Sequence, residues 1–407
     1  EAISEMNPKI KKLLPILGPG WVVMMADLDA PSVITAIQSG IQFQAHLIIL
    51  LIILIAPLFL VQDTASRIGA VTGKTLGQLM TSNFGHRWTV TAVSGSAIID
   101  FAAYVGEFAG IAAAAEVLGI PVYIAVLAVI IIHSIIVITG TYKRIEMFLV
   151  IIGAFLFIFI IIDIFVRPFV LNLEMFNPVV QERSFYYLVA ANIGAVIMPW
   201  MLFYHQAADV DRGLNISEMK RESRGTLLGA IVSEALMISI VVFSWRLSEL
   251  GLKPEDSLKV VASYLGTLIG PAGPFIFSIA VGVAGLLAMF VISMSMSYTV
   301  SDAMKWKSSF NGKVREQKGF YSIYFLEIIP AAIITLAYHN LVSIVLDIMV
   351  FSSIAIALPL MVVTRLASNS SVMGKYRISR FREVSLYVTL AIIVSLGLFS
   401  IITTFLL

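Results

Sequence analysis

Long apolar stretches separated by short polar clusters recur from one end of the chain to the other. A helix needs about 20 mostly apolar residues to cross the hydrocarbon core of a bilayer. Runs of that order fall at 13–40, 45–68, 91–118, 120–140, 145–166, 184–207, 225–247, 260–301, 320–337, 340–364 and 384–407. The pattern therefore predicts an all-α integral membrane protein of eleven transmembrane helices. The third and eighth intervals are long enough to include a turn outside the membrane or a tilt. No stretch between spans is long enough for a separate domain, so residues 1–407 are expected to form one membrane domain.

Composition and charge sharpen this. The chain is 59% hydrophobic and only 13% charged, with a mean hydropathy of +0.96. Soluble domains carry about 25% charged residues, so a soluble fold is excluded. The net charge of +2 adds little, and the absence of cysteine removes disulfides and thiolate metal ligands. With the N-terminus cytoplasmic, alternate loops collect 22 of the 27 Lys and Arg residues, leaving Arg167, Arg183, Arg246, Lys253 and Lys259 outside. That bias supports both the span count and an orientation with the C-terminus outside. No cleavable leader is expected, because a polar, basic start runs directly into the first span. The expected location is a cell membrane of bacterial inner or plasma type, crossed many times.

The basic loop 305–318 reads as a cytoplasmic connection, so no nucleic-acid partner is expected. Gly73-Lys74-Thr75 looks like the end of a phosphate-binding loop, but Ile68 stands where the earlier glycine belongs. No nucleotide partner is expected either. His-Glu-x-x-His and Gly-x-Ser-x-Gly are both missing, which argues against an intramembrane hydrolase. A channel is not excluded by sequence.

Two apolar runs are interrupted where a span should be regular. In the first, Ala26-Asp27-Leu28-Asp29-Ala30-Pro31-Ser32 places two acids and a proline inside the span. In the sixth, Ile193-Gly194-Ala195-Val196-Ile197-Met198-Pro199-Trp200 does the same without acids. Charge is costly in lipid and proline removes a backbone donor, so irregular backbone survives there only beside a polar cavity or protein. The two prolines are 168 residues apart with five spans from one break to the next. Paired broken helices in two inverted halves point to a midplane site where freed carbonyls and an acid hold a cation. Each proline could instead merely kink a packed helix.

Leu17-Gly18-Pro19-Gly20, Asp29-Ala30-Pro31-Ser32 and Gln38-Ser39-Gly40 together resemble the first helix of NRAMP divalent-metal transporters. Gly194-Ala195 through Met198-Pro199 to His205 resembles that family's sixth-helix motif, with smaller echoes at Thr72-Gly73-Lys74 and Gly119-Ile120-Pro121. The resemblance implies a LeuT-like fold of two inverted five-helix repeats, about 13–166 and 184–364, plus an extra helix at 384–407. It implies transport rather than an enzymatic activity, with a divalent metal ion as substrate, the lipid bilayer as surroundings and no resident cofactor. The metal ligands it implies are Asp29, Ser32, Ala195 (through its carbonyl) and Met198.

The departures from the family pattern matter. Asp-Ala-Pro-Ser stands where the family carries Asp-Pro-Gly-Asn, so Ser32 replaces an asparagine and a water is expected in its place. Mg²⁺ gives up its waters reluctantly, which suits a wetter site. The thioether of Met198 favours softer ions such as Mn²⁺ and Fe²⁺, unless it is only a gap-filling apolar residue. Trp200 replaces a histidine implicated in the proton route, and Tyr104 replaces one acid of a helix-three pair, leaving Glu107. These changes resemble the NRAMP-related bacterial magnesium transporters. The sequence thus points to a Mg²⁺ importer that also accepts Mn²⁺ and lacks proton coupling, with a proton-coupled Mn²⁺/Fe²⁺ importer as the alternative. His205, Glu107, Asp27, Trp200 and Glu234 are candidate neighbours of the site or pathway. Asp63, Asp100, Glu116, Asp163, Glu327 and Asp347 also lie within spans, whereas His133 reads as a packing residue.

Overall fold

The computed structural model describes residues 17–139, 141–166, 182–254, 256–337 and 342–406. Lys9, Lys11, Lys12 and Arg167, used above to orient the chain, lie outside these residues, as do the start of the first interval and the 340–341 edge of the tenth. Every regular element among the described residues is helical.

The first apolar run forms two helices, α1 (Pro19–Asp27) and α2 (Ala30–Phe43), set at 47° to each other. There follow α3 (Ile48–Thr72), a short α4 (Leu76–Phe84), α5 (His86–Val117), α6 (Val122–Thr139), α7 (Tyr142–Gly153) and α8 (Ile158–Phe165). A 3₁₀ turn at Ala154–Phe157 joins α7 to α8, so that Tyr142–Phe165 is one span. The second half begins with α9 (Arg183–Val196) and α10 (Pro199–Arg212), followed by α11 (Met219–Glu249), α12 (Leu258–Ile269) and α13 (Ala272–Ala303). After α14 (Lys318–Leu326), α15 (Ile328–Ala337), α16 (Val342–Ala355), α17 (Ala357–Ser368) and the single turn α18 (Ser370–Met373), the chain ends in α19 (Arg380–Ile401).

Nine described helices are long and apolar enough to cross a membrane, or ten when α1 and α2 count as one span. The fourth expected interval holds a shorter apolar helix, Val122–Ile138. The eighth interval includes a turn, as its length suggested: it holds two helices, α12 and α13, because Gly270-Pro271 interrupts it. The third starts earlier than expected, at His86. Gly73, part of the apparent phosphate-loop remnant, ends α3 in a left-handed conformation (φ 61°).

The core lies around the two interrupted runs. Each of the nine residues of α1 is buried, and α2 is buried along nearly its whole length. Both pack on α11, while α2 also meets α5, α9 and α16. Close approach at the breaks relies on missing side chains. A Cβ on Gly110 of α5 would stand 2.2 Å from Ala30 Cβ, and one on Gly194 of α9 would stand 1.7 Å from the Met349 carbonyl oxygen of α16. The perimeter is apolar and exposed, as at Ile164, Ile329 and Phe381, which suits contact with lipid. At one end of α19, Arg382 pairs with Asp63 and donates to Thr64 Oγ1 (3.0 Å) and the Leu60 carbonyl (3.2 Å), which fastens this helix to α3.

Candidate metal site

Each break follows from its proline. In a continuous helix the carbonyl of residue i accepts from the N–H of residue i+4. Pro31 therefore leaves the Asp27 carbonyl without its helical partner, and Pro199 does the same to Ala195. The backbone leaves the helix at Leu28 (φ −78°, ψ 61°) and Asp29 (φ −81°, ψ 175°). It leaves again at Ile197 (φ −128°, ψ 85°) and Met198 (φ −96°, ψ 151°). Pro31 and Pro199 then sit in the first turn of the next helix, where a missing donor costs nothing.

Asp29 caps α2: its Oδ1 accepts the Ser32 N–H at 2.7 Å. Its other oxygen, Oδ2, is buried with no N–H or hydroxyl donor, and the Glu107 carboxyl lies against the Asp29 carboxyl. Ser32 Oγ donates to the Ala195 carbonyl at 3.4 Å, joining the first break to the second. From α5, Glu107 Oε2 accepts the Ala30 N–H at 3.0 Å, while its Oε1 has no N–H or hydroxyl donor. So Asp29, Ser32, Ala195 and Glu107 meet at the junction of the two breaks, all fully buried or nearly so.

The fourth expected ligand behaves differently. Met198 Sδ accepts the indole N–H of Trp200 at 3.0 Å, and the Met198 N–H points to Met201 Sδ at 3.5 Å. The Trp200 carbonyl accepts from Ser295 Oγ at 2.9 Å, which fixes this residue against α13. An aromatic donor therefore holds the thioether where the family pattern has an imidazole.

The remaining candidates separate into other groups. Asp27 lies beside Ser233 and Glu234 of α11, and both Glu234 oxygens lack hydrogen-bond partners. His205 is seven residues beyond Met198 on α10, about 10 Å along the axis. There it lies against Gln62 (3.1 Å from Nδ1), Asp209 and Glu222. His133 is a packing residue as expected, with the Tyr324 hydroxyl 2.6 Å from its Nε2. Asp63 pairs with Arg382, and Asp347 accepts from the Tyr187 hydroxyl at 2.6 Å. Asp100 is buried with no hydrogen-bond partner, and the buried Glu327 lies against the Ser293 side chain.

Sequence reading missed Asp209 and Glu222. Asp209 carried a usable signal, since it stands four residues after His205 on the same helix face. Glu222 carried none, because a turn at Gly213 and a new helix separate it from His205. The indole contact to Met198 was equally invisible, since it depends on a rotamer.

A buried carboxylate oxygen without a donor is costly, and a cation offsets that cost most directly. At the junction the Asp29 carboxyl lies with that of Glu107, the Ser32 hydroxyl and a carbonyl freed by proline, all hard oxygen groups. Two broken helices, buried acid and freed carbonyls in an all-helical LeuT-like fold define a membrane ion-transport architecture. The chain belongs to the Nramp family: residues 20–403 match the family described as natural resistance-associated macrophage protein-like. It is 25% identical to the divalent metal cation transporter MntH of Bacillus subtilis, over 97% of this chain and 93% of that protein. The MntH of Latilactobacillus sakei is 23% identical over 90% of this chain and 84% of its own length. Among solved structures, a manganese transporter of Eremococcus coleocola bound to an aromatic bis-isothiourea compound superposes with a TM-score of 0.76. That pair is 19% identical, covering 98% of this chain and 88% of the other. MhsT in complex with L-phenylalanine superposes at 0.66 with 13% identity, covering 95% and 98%, which extends the likeness of fold beyond the family.

Proposed function

We propose that this protein carries divalent metal ions inward across a cell membrane by alternating access, as a transporter rather than an enzyme and without a resident cofactor. Mg²⁺ is its main cargo, Mn²⁺ is accepted, and no proton need accompany either. Asp29, Ser32, the Ala195 carbonyl and Met198 surround the ion, in a molecule of eleven spans arranged as inverted repeats with a cytoplasmic N-terminus. The observation that carries the reading is the pair of buried carboxyls, Asp29 and Glu107, set together beside Ser32 and a proline-freed carbonyl. Membership in the Nramp family and relatives named as divalent metal cation transporters support the class of cargo.

Two features favour Mg²⁺. Ser32 is shorter than an amide and leaves room for water, which Mg²⁺ retains. The Met198 sulfur already accepts a hydrogen bond from Trp200, which competes with its use as a soft ligand. The membrane potential suffices as a driving force: it contributes about 4.6 kcal/mol per ~100 mV to a dication. Neither Trp200 nor Tyr104 titrates near neutral pH, so the proton relay is cut at both positions.

The deciding experiment loads liposomes with a Mg²⁺-sensitive dye and a pH indicator. Mg²⁺ enters, Mn²⁺ competes, and internal pH stays level. The second reading, a proton-coupled Mn²⁺ importer, rests on the retained Met198 and on the manganese transporter among the structural neighbours. It prevails if Mn²⁺ enters while millimolar Mg²⁺ neither enters nor competes. It also prevails if acidification tracks the metal and disappears in Glu107→Gln or His205→Ala.

A further inference from the structure

Two turns beyond Met198, α10 brings a second set of metal-ligating side chains together. His205 Nε2 lies 3.7 Å from Asp209 Oδ2 and 3.7 Å from Glu222 Oε1. One atom from each of the three residues falls within 4.8 Å of the others, and all three residues are buried. Metal–ligand bonds of ~2.1 Å place tetrahedral ligands about 3.4 Å apart, so the observed gaps are close to those of a filled site.

Hydrogen bonding leaves this cluster short of a cation. Gln62 Oε1 lies 3.1 Å from His205 Nδ1, and an amide oxygen can only accept. With the amide oriented this way the proton sits on Nδ1, and the Nε2 lone pair faces the two carboxylates. Nε2 has no hydrogen-bond partner although His205 is fully buried, and the equally buried Asp209 carboxyl faces the Ser66 side chain. An acceptor turned toward carboxylates is satisfied by a cation between them, either a proton on Nε2 or a metal ion. A carbonyl-type partner on the other ring nitrogen is the usual second shell of a metal-bound histidine.

Charge gives the same answer. Arg212 Nη1 lies 3.3 Å from Glu146 Oε1 and 3.7 Å from Glu222 Oε2. Lys143 also lies near Glu146, so the carboxyls of Asp209, Glu222 and Glu146 outnumber the neighbouring cations Arg212 and Lys143 by one, an excess that a bound cation offsets. Glu222 is held ready in a single pose, because its Oε1 accepts the Gly20 N–H of α1 at 2.6 Å.

We propose that His205, Asp209 and Glu222 form a second divalent-cation site, distinct from the one at Asp29 and about 10 Å farther along α10. An imidazole with two carboxylates selects a transition ion such as Mn²⁺, Fe²⁺, Co²⁺ or Zn²⁺ over Mg²⁺. The site does not depend on which ion the Asp29 site prefers.

The test titrates Co²⁺ into purified, tag-free protein and follows stoichiometry together with the visible absorption that imidazole ligation produces. Asp29→Ala retains one Co²⁺ per chain with that absorption. Adding His205→Gln or Asp209→Asn, each near-isosteric, weakens it at least tenfold, with an unchanged elution volume as the check on folding. Two Co²⁺ retained by Asp29→Ala and one lost in Asp209→Asn would keep this site and remove the Asp29 site. A single Co²⁺ in the unmutated protein that Asp29→Ala abolishes overturns the second site and leaves the first. So does a Co²⁺ in Asp29→Ala that neither added substitution weakens.

Discussion

The two breaks use proline in the same way and reach different results. At Asp29 the helix turns by 47°, and the gap carries a formal charge with the Glu107 carboxyl against it. At Met198 the two helices continue as a single span, Arg183–Arg212, and the gap is neutral. The first break thus supplies charge and the second supplies shape: a carbonyl turned to Ser32 and a sulfur held by an indole. A site divided this way takes its affinity from one half and its choice of ion from the other.

Four substitutions sharpen or break that division. Asp29→Ala should abolish divalent uptake in proteoliposomes, a loss of at least about 100-fold, since removing one partner of a buried pair costs about 3–5 kcal/mol. The variant should still elute as the folded protein. Undiminished flux would mean that the charge lies elsewhere. Next in size is Gly194→Ala, whose Cβ would meet the Met349 carbonyl oxygen at 1.7 Å. Overpacking of this kind costs about 1–3 kcal/mol, and the thermal midpoint in detergent should fall accordingly. An unchanged midpoint would show that α9 and α16 separate easily.

Met198→Ala should weaken Mn²⁺ roughly tenfold while Mg²⁺ changes less than about twofold, because only the softer ion uses sulfur. Equal losses for both ions would return affinity to the second break. The smallest effect is expected of Trp200→Phe, which frees the sulfur. Losing one hydrogen bond of about 1 kcal/mol to the competitor should raise Mn²⁺ affinity a few-fold. If Mn²⁺ binding falls instead, the indole positions the thioether for the metal rather than occupying it.

What was legible in the sequence follows the same line. Asp29, Pro31 and Pro199 were readable because each violates what a lipid-crossing helix demands, and a violation in an apolar run is visible without coordinates. The expected spans likewise follow from apolar length, and the excess length of the eighth interval already pointed to the turn found at Gly270-Pro271. Contacts between distant elements left no such trace. Ser32 to Ala195 and Arg382 to Asp63 join residues 163 and 319 positions apart. Glu222 reads in sequence as an ordinary acid in the first turn of α11, where the helix dipole favours one. Only the fold shows that Gly20 and His205 lie against it.

The indole beneath Met198 also makes the molecule its own optical instrument. Of the five tryptophans, Trp88 and Trp306 are exposed and Trp21, Trp200 and Trp245 are buried, and Trp200 has its N–H on the sulfur of a proposed ligand. An ion that recruits the sulfur displaces that N–H and changes the emission of this one residue. Paramagnetic Mn²⁺ beside the ring would quench it, and Mg²⁺ kept among oxygen atoms would leave it bright. The difference in emission between the unlabelled protein and Trp200→Phe thus distinguishes which half of the site an ion has chosen, before any flux is measured.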